Sequence, residues 1–147
     1  MYTIIYFVLE EYIKELEADL KIDELNLKDY QLKLPGIKHK WAGRCIRHKL
    51  ELANTKATKE SLKKEVVKQL QEQGAVKLSV PVLERHADKH PEMCALDKKI
   101  TELALVVELL EKAEKTLSST SYDLKNIIDI IKLETTWLIL VMMLKNN

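Results

Sequence analysis

Glycine and proline are scarce in this chain, with three residues of each among 147. So few turn formers exclude a meander of short strands and favour long helices. Aromatic residues make up only 5% of the chain, which argues against a base-stacking platform of the RNA-binding or OB type. The length suits a single helical domain, residues 1–147, with one buried core.

Cysteine is also rare, since Cys45 and Cys94 are the only two. They form no CxxC pair and indicate no disulfide framework, so a reducing, cytoplasmic setting is expected. The apolar start of the chain lacks a basic region and a cleavage site. The apolar run Trp137–Leu144 is far shorter than the roughly 20 residues that span a bilayer. We therefore expect a soluble protein with no signal peptide and no membrane contact.

Motifs for catalysis and cofactor binding are missing, because the chain contains neither GxxxxGK[ST] nor GxGxxG. His86, His90 and Cys94 follow one another at intervals of four, a spacing that could align three metal ligands on a helix. Pro91 interrupts that helix, and surface histidines beside a loop with a buried thiol are the favoured interpretation. Spacing is compatible with a Cys–His nucleophile pair, but no motif surrounds either cysteine. The sequence predicts no enzyme, no metal site and no cofactor.

The first half of the chain predicts two helices in an all-α fold of about four helices. Residues 8–21 carry apolar side chains at helical spacing with an acidic outer face. Residues 22–36 lose this period and finish in Pro35-Gly36, so we predict an extended connection there. A long helix then covers 37–73 and ends before Gly74.

A loop or edge strand is predicted at residues 75–83, because the alternation of β-branched residues is short and interrupted by Pro81. A short helical turn is expected at 82–89.

The C-terminal region, residues 94–144, is predicted to be the oligomerisation region. One helix is expected to end at Leu117, and Thr120 with Asp123 resembles the capping box of a last helix. The apolar surface exceeds what a small four-helix unit hides from water, so we expect these helices to pack into a homo-oligomer. The residues assigned to this interface are Leu124, Ile127, Ile128, Ile131 and Leu138.

Charge is distributed unevenly although the formal net charge is only +1. Residues 1–33 hold four Lys against eight Asp or Glu, a net charge of −4. Residues 34–77 hold eleven Lys or Arg against four Glu, a net charge of +7. Residues 78–147 hold nine against eleven, a net charge of −2. A basic block between two acidic ones indicates contact with a polyanion.

Within the basic block, Lys40, Arg44 and Arg47 fall within about 60° of one another on a helix. Rows of cations on successive turns suit a phosphate backbone, which Arg can bind with two hydrogen bonds. Trp41 could stack on an exposed base, although a place in the core is favoured for it. The predicted DNA-binding residues are Lys38, Lys40, Trp41, Arg44, Arg47, Lys49, Lys56, Lys59, Lys63, Lys64 and Lys68.

Three segments carry a family resemblance. DYQLKLPGIKHKW at 29–41 combines an acidic, Leu-containing connection with a Pro and a Lys–aromatic pair. YDLKNIIDIIKL at 122–133 contains Lys-Asn-Ile-Ile-Asp after an aromatic residue, and LDKKI at 96–100 has an acidic-Lys start. In this order and spacing, residues 8–134 resemble the UvsY-like recombination mediators of large tailed phages.

The resemblance implies an all-helical ring, a hexamer or heptamer, assembled through the C-terminal helices. It implies binding of single-stranded DNA, displacement of the phage single-strand-binding protein and loading of the phage recombinase. If the protein is phage-encoded, these partners lie in the cytoplasm of the host cell. Carried over by position, the basic residues of the family fall nearest Lys63 and Lys64.

The chain departs from the family pattern at three places. Thr120-Ser121 replaces an Arg-Gly pair, Ile130 stands where an aromatic residue is usual, and ETTWLILVMMLKNN replaces a short Ala-Gly ending. An alternative function is a helical structural or adaptor protein that binds a protein partner through its acidic N-terminal helix. Binding to an anionic membrane is disfavoured, because the basic rows lack a flanking apolar face.

Overall fold

The computed structural model describes residues 4–74 and 77–145, and the regular elements in these ranges are all helices. The four α-helices are α1 (Ile4–Leu20), α2 (Leu27–Gln73), α3 (Val80–Asp88) and α4 (Pro91–Lys145), with a short 3-10 helix (Glu24–Asn26) before α2. The prediction of an all-α fold is confirmed.

Two predictions concern residues that are described only in part. The predicted loop or edge strand at 75–83 includes residues 75 and 76, which lie outside the described residues. Its described part is irregular only as far as Ser79, and α3 then matches the helical turn expected at 82–89. Residues 1–3 and 146–147, the two ends of the predicted domain, also lie outside the described ranges.

Helix α2 begins ten residues earlier than predicted, so the extended connection at 22–36 is wrong. Pro35 lies inside the helix, where it costs about 3 kcal/mol. Burial outweighs this cost, since each apolar side chain taken out of water contributes about 1.5–3 kcal/mol. Leu34 is buried and Leu27, Tyr30 and Ile37 pack against the core. At its other end α2 stops at Gln73 as predicted, although Gly74 has φ −78° and so forms no left-handed cap.

Helix α4 is continuous over 55 residues, so the predicted break at 118–121 is wrong. The hydroxyls of Ser118 and Thr120 donate to the backbone oxygens of Glu114 and Thr116, at 2.8 and 2.9 Å. Because these bonds satisfy both hydroxyls inside α4, the hydroxyls do not cap the start of a separate helix. Thr120 is also buried, with 4% of its surface exposed, and the expected capping box with Asp123 does not form.

The core lies where α1 and α2 pack against the first part of α4. Its buried residues are Leu34, Trp41, Cys45, Val106, Leu110, Leu117 and Leu124, with Ile5, Leu9, Tyr12, Leu16 and Leu20 of α1 packed against them. The last fully buried residue of α4 is Leu124. Beyond it, residues 127–144 form an overhang about 27 Å long. None of the helices in the described ranges is long and apolar enough to cross a membrane.

Candidate nucleic-acid interface

Lys40 and Arg44 of the basic block bind the acidic helix α1. Lys40 Nζ lies 2.8 Å from Glu15 Oε1 and 2.5 Å from Asp19 Oδ2, and Arg44 Nη1 lies 2.6 Å from Glu15 Oε2. The guanidinium of Arg44 also stacks 4.8 Å from the ring centres of Tyr12 and Trp41. The two cations therefore stabilise the packing of α1 on α2, and they are not available to a phosphate backbone in this conformation.

The charges in this cluster reinforce one another. Hydrogen bonds from Arg44 and Lys40 lower the pKa of the Glu15 carboxyl below its ordinary value. Burial disfavours the charge of Lys40, but hydrogen bonds to Asp19 and Glu15 outweigh it and raise the pKa of the ammonium group. Both shifts favour the charged forms of Glu15 and Lys40 at neutral pH. A sequence signal for the cluster exists, because Glu15 and Asp19 have the same interval of four as Lys40 and Arg44.

Trp41 is fully buried, with 0% of its surface exposed. Its indole N–H donates to Asp19 Oδ2 at 2.7 Å, and its ring meets that of Tyr12 edge-on at a centre distance of 5.8 Å. The assignment of Trp41 as a base-stacking residue is therefore wrong for this conformation, and the favoured place in the core is correct.

Three lysines stand at intervals of seven on one flank of α2, namely Lys49, Lys56 and Lys63, and Lys64 lies beside the last of them. We call these four residues the lysine row. An interval of seven places successive side chains on the same face, about 10 Å apart along the helix. Lys56 and Lys64 are exposed and form no ion pair within the described part of the chain.

The other two lysines of the row form ion pairs at the surface. Lys49 Nζ lies 2.8 Å from Glu111 Oε1, and Lys63 Nζ lies 3.0 Å from Asp88 Oδ1. The carboxylate partners have side chains that are 49% and 47% exposed. Ion pairs of this exposure stabilise a fold little and exchange easily with other anions. Lys63 and Lys64 also line a cleft of about 270 Å³ between α2 and α3, with Glu60, Val67 and Glu84.

Arg47 lies on the opposite flank of α2, in a cleft of about 410 Å³ between α2 and α4. It is exposed and has no acidic partner among the residues that the structure describes. Lys99 of α4 lines the same cleft and lies 3.2 Å from Glu51. The sequence did not point to Lys99, since only the packing of α4 on α2 brings it beside Arg47.

The remaining predicted DNA-binding residues each have a partner within the chain. Lys38 donates to Ser121 Oγ at 2.9 Å, and Lys59 is paired with Asp97. Lys68 is 76% exposed on its side chain and lies 3.9 Å from Glu72 one turn later. The +7 block is thus divided into a partly exposed ion-pair cluster with α1, the lysine row, and single cations elsewhere.

The candidate metal ligands do not form a site. Among the described residues, no group of three or more His, Cys, Asp or Glu side chains could hold a metal ion. Cys94 is exposed, which corrects the expectation of a buried thiol there, and its Sγ lies 3.6 Å from the backbone oxygen of Asp88. Cys45 is buried, and burial raises the pKa of its thiol.

The residues assigned to oligomerisation divide into two groups. Leu124 is 1% exposed within the core of its own chain, so its assignment to an interface between chains is wrong. Ile127 and Ile131 are partly buried. Ile128 and Leu138 are 38% and 60% exposed and remain candidates for contact with another copy.

Comparisons with known proteins agree with the resemblance seen in the sequence. The chain is similar to three crystal structures of the bacteriophage T4 recombination mediator protein UvsY, in lattice types IV, II and I. Their TM-scores are 0.74, 0.74 and 0.71, at sequence identities of 18%, 17% and 17%. Each match covers 86% of this chain and 97% or 98% of the T4 protein. No match to a curated protein sequence was found.

A family model described as "Recombination, repair and ssDNA binding protein UvsY" matches residues 15–136. The matched segment includes the end of α1 from residue 15, the whole of α2 and α3, and most of α4. It ends before Trp137, so the most apolar part of the overhang lies outside the match. The chain belongs to the UvsY family of recombination, repair and single-stranded-DNA-binding proteins.

Proposed function

We propose that this protein binds single-stranded DNA as a non-catalytic recombination mediator. The family match over residues 15–136 carries the proposal. In this role the protein helps to displace a single-strand-binding protein and to load a recombinase onto the strand, in the cytoplasm of a phage-infected host cell.

The lysine row is the part of the surface best suited to the DNA backbone. Lys56 and Lys64 offer unpaired ammonium groups, and the exposed pairs of Lys49 and Lys63 can be exchanged for phosphates. Binding through lysine ammonium groups depends on release of counterions and carries little sequence preference. This placement agrees with the position of Lys63 and Lys64 implied by the family resemblance.

Several copies of a weak site can bind one strand tightly. In a hexameric or heptameric ring each lysine row contributes a modest affinity, and the copies add their contacts through a high effective concentration. A strand bound around such a ring is bent, which weakens the hold of a single-strand-binding protein and exposes segments to the recombinase. The exposed residues Ile128 and Leu138 on the overhang support assembly through α4.

Fluorescence polarisation of labelled oligo-dT tests the proposal at several salt concentrations between roughly 50 and 300 mM. The double variant Lys56→Ala with Lys64→Ala should bind more weakly. The negative slope of log affinity against log salt should become shallower by about 1.4, since each lost phosphate contact on a single strand accounts for about 0.7. The control is Lys98→Ala with Lys112→Ala, which removes the same charge from exposed positions of α4 that pair only within their own helix.

An affinity that does not change with salt would refute binding through phosphates. Equal losses in the variant and the control would show that general charge, and not the lysine row, carries the binding. No binding at the lowest salt would leave the adaptor function as the alternative. That alternative has less structural support, because Glu15 and Asp19 of the acidic helix are already bound to Lys40 and Arg44.

A further inference from the structure

The side of α2 that faces the solvent carries an uncharged stripe in the middle of the helix. It consists of Ile46, Leu50, Ala53 and Ala57, at intervals of four, three and four residues, and we call it the apolar stripe. At 100° per residue these four side chains lie within about 60° of one another. All four residues are exposed, and Ile46 and Leu50 expose 67% and 61% of their surface. Single exposed apolar residues are ordinary, whereas a continuous stripe with a polar rim indicates a binding surface.

The apolar stripe faces away from the core of its own chain. The buried residues in this part of α2 are Trp41, Cys45 and Thr55. On the helix they point in roughly the opposite direction to the stripe. Because α1 and α4 pack on that buried side, they leave the stripe in water. Substitutions in the stripe should consequently leave the fold intact.

Cations line both long edges of the apolar stripe. Lys49 and Lys56 of the lysine row lie on one edge and Arg47 lies on the other, each about 90° from the middle of the stripe. Arg47 shares the cleft of about 410 Å³ with Leu50, so this cleft is continuous with the stripe. The surface is therefore an apolar strip between two cationic edges.

A DNA single strand has the matching chemistry. Its phosphates are anionic, and its unpaired bases expose faces that pack on apolar or aromatic side chains. Phosphates bound at Lys49 and Lys56 would direct the bases across the apolar stripe. At the far edge, Arg47 and Asn54 offer N–H donors to the edges of the bases. In a duplex the base faces are stacked inside the double helix, so the stripe would have nothing to contact.

Two other occupants suit this surface less well. A second copy docked by the same face would bring its own cations against Arg47 and the lysine row, and like charges across an interface oppose binding. The stripe corrects the expectation that the basic rows lack a flanking apolar face, which argued against a membrane. It is nevertheless too small to hold a helix on a membrane, because only Ile46 and Leu50 are large and neither is aromatic.

We propose that the apolar stripe binds the bases of a DNA strand whose phosphates lie on the lysine row, and thereby selects single strands over duplex. This selection rests on the proposed function and adds the residues that contact the bases. Lysines alone do not supply the preference, since a duplex has the higher charge density. Contact with the faces of bases is tolerant of sequence, so the stripe distinguishes the form of the DNA without reading its sequence.

An abasic strand tests the contact on the unaltered chain. Oligo-dT and an abasic oligonucleotide of the same length carry the same phosphates, and each competes with labelled oligo-dT in fluorescence polarisation. The abasic strand should bind about tenfold more weakly at equal salt, because it loses only the apolar contact. The slope of log affinity against log salt should be the same for both strands. Equal affinities for the two strands would overturn the proposal.

The double variant Ile46→Ala with Leu50→Ala tests whether the apolar stripe makes this contact. It should bind oligo-dT about tenfold more weakly with an unchanged salt slope, and bind the abasic strand and duplex DNA as the native chain does. The control is Leu25→Ala with Leu32→Ala, at leucines that are 91% and 69% exposed and precede the basic block. Equal losses in the variant and this control would refute a specific role of the stripe.

The remaining outcomes separate this selection from the proposed function. Native chain that binds oligo-dT while the Ile46→Ala, Leu50→Ala variant binds it equally well would refute only the role of the stripe. Native chain that binds no oligo-dT at the lowest salt would refute both. A lower particle mass of the variant by light scattering would assign the stripe to a contact between copies. Sedimentation with anionic vesicles that the variant abolishes would assign it to a membrane, and either result would overturn the proposal.

Discussion

Replacing Arg44 by alanine should destabilise the protein by about 2 kcal/mol. The change removes the 2.6 Å hydrogen bond to Glu15 and the stacking on Tyr12 and Trp41. A hydrogen bond between charged groups contributes about 1.5–3 kcal/mol and a cation–π contact about 0.5–1 kcal/mol. The sum is reduced because Glu15 is 39% exposed on its side chain and keeps its bond to Lys40.

The size of this effect should depend on pH. The carboxyl of Glu15 has an ordinary pKa of 4.5, and Arg44 and Lys40 lower it in the folded protein. A lowered pKa contributes stability that is fully present above the unfolded value and is lost as pH falls through the folded value. The difference between the native chain and Arg44→Ala should therefore be constant near neutral pH and shrink as pH falls below 4.5.

Urea unfolding followed by circular dichroism at 222 nm measures the difference, with every sample at the same protein concentration because an assembly unfolds in a concentration-dependent way. Arg47→Ala is the matched control. It lies three residues away, is exposed, and should change stability by less than about 0.5 kcal/mol. If Arg44→Ala left stability unchanged and weakened DNA binding instead, the structural role of the cluster with α1 would be refuted.

Three further predictions separate the core from the surface. Leu124→Ala should lower the free energy of unfolding by about 2–5 kcal/mol through the cavity it leaves, because Leu124 is 1% exposed within its own chain. The double variant Ile128→Asp with Ile131→Asp should instead lower the mass of the assembled particle, measured by light scattering. If Leu124→Ala destabilised no more than a surface change, or the Asp variant kept its mass, the division of α4 at Leu124 would be wrong. Labelling with a thiol reagent near pH 8 should modify Cys94 rapidly and Cys45 only on unfolding, since Cys45 is buried with a raised pKa. Two rapidly reacting thiols per folded chain would contradict this packing.

The errors in predicting the helices share one cause. Pro35-Gly36 and the run Ser118–Ser121 are strong local signals for a break, yet both lie inside helices. In each case apolar residues continue the period through the signal, as with Leu27, Tyr30, Leu34 and Ile37 before Trp41. Burial of that continuous face against another helix outweighs the local cost, and such a contact is not visible in a window of ten residues.

The predicted DNA-binding residues differ in whether the fold leaves them free, and the sequence could not show this difference. The count of charges located the basic block, and Lys56 and Lys64, with their exposed ammonium groups, lie in it. The same count could not tell which cations are already bound within the chain. Lys40 and Arg44 belong to the basic group that the helical wheel indicated, and they are the ones that α1 neutralises. Only the packing of α1 on α2 shows that the free cations of the predicted set lie farther along, at Arg47, Lys56 and Lys64.

Composition and periodicity were sufficient for the helical class, the basic second helix and the apolar C-terminal region, because these depend on residue types and their spacing along one chain. The family resemblance came from the residues of three short segments. The tertiary structure decided which cations are free, which face of α4 is core, and where that core ends at Leu124. These outcomes depend on the side chains that approach from other helices. Ion pairing and burial are properties of such neighbours, and residues as distant as Glu15 and Arg44 become neighbours only when the chain folds.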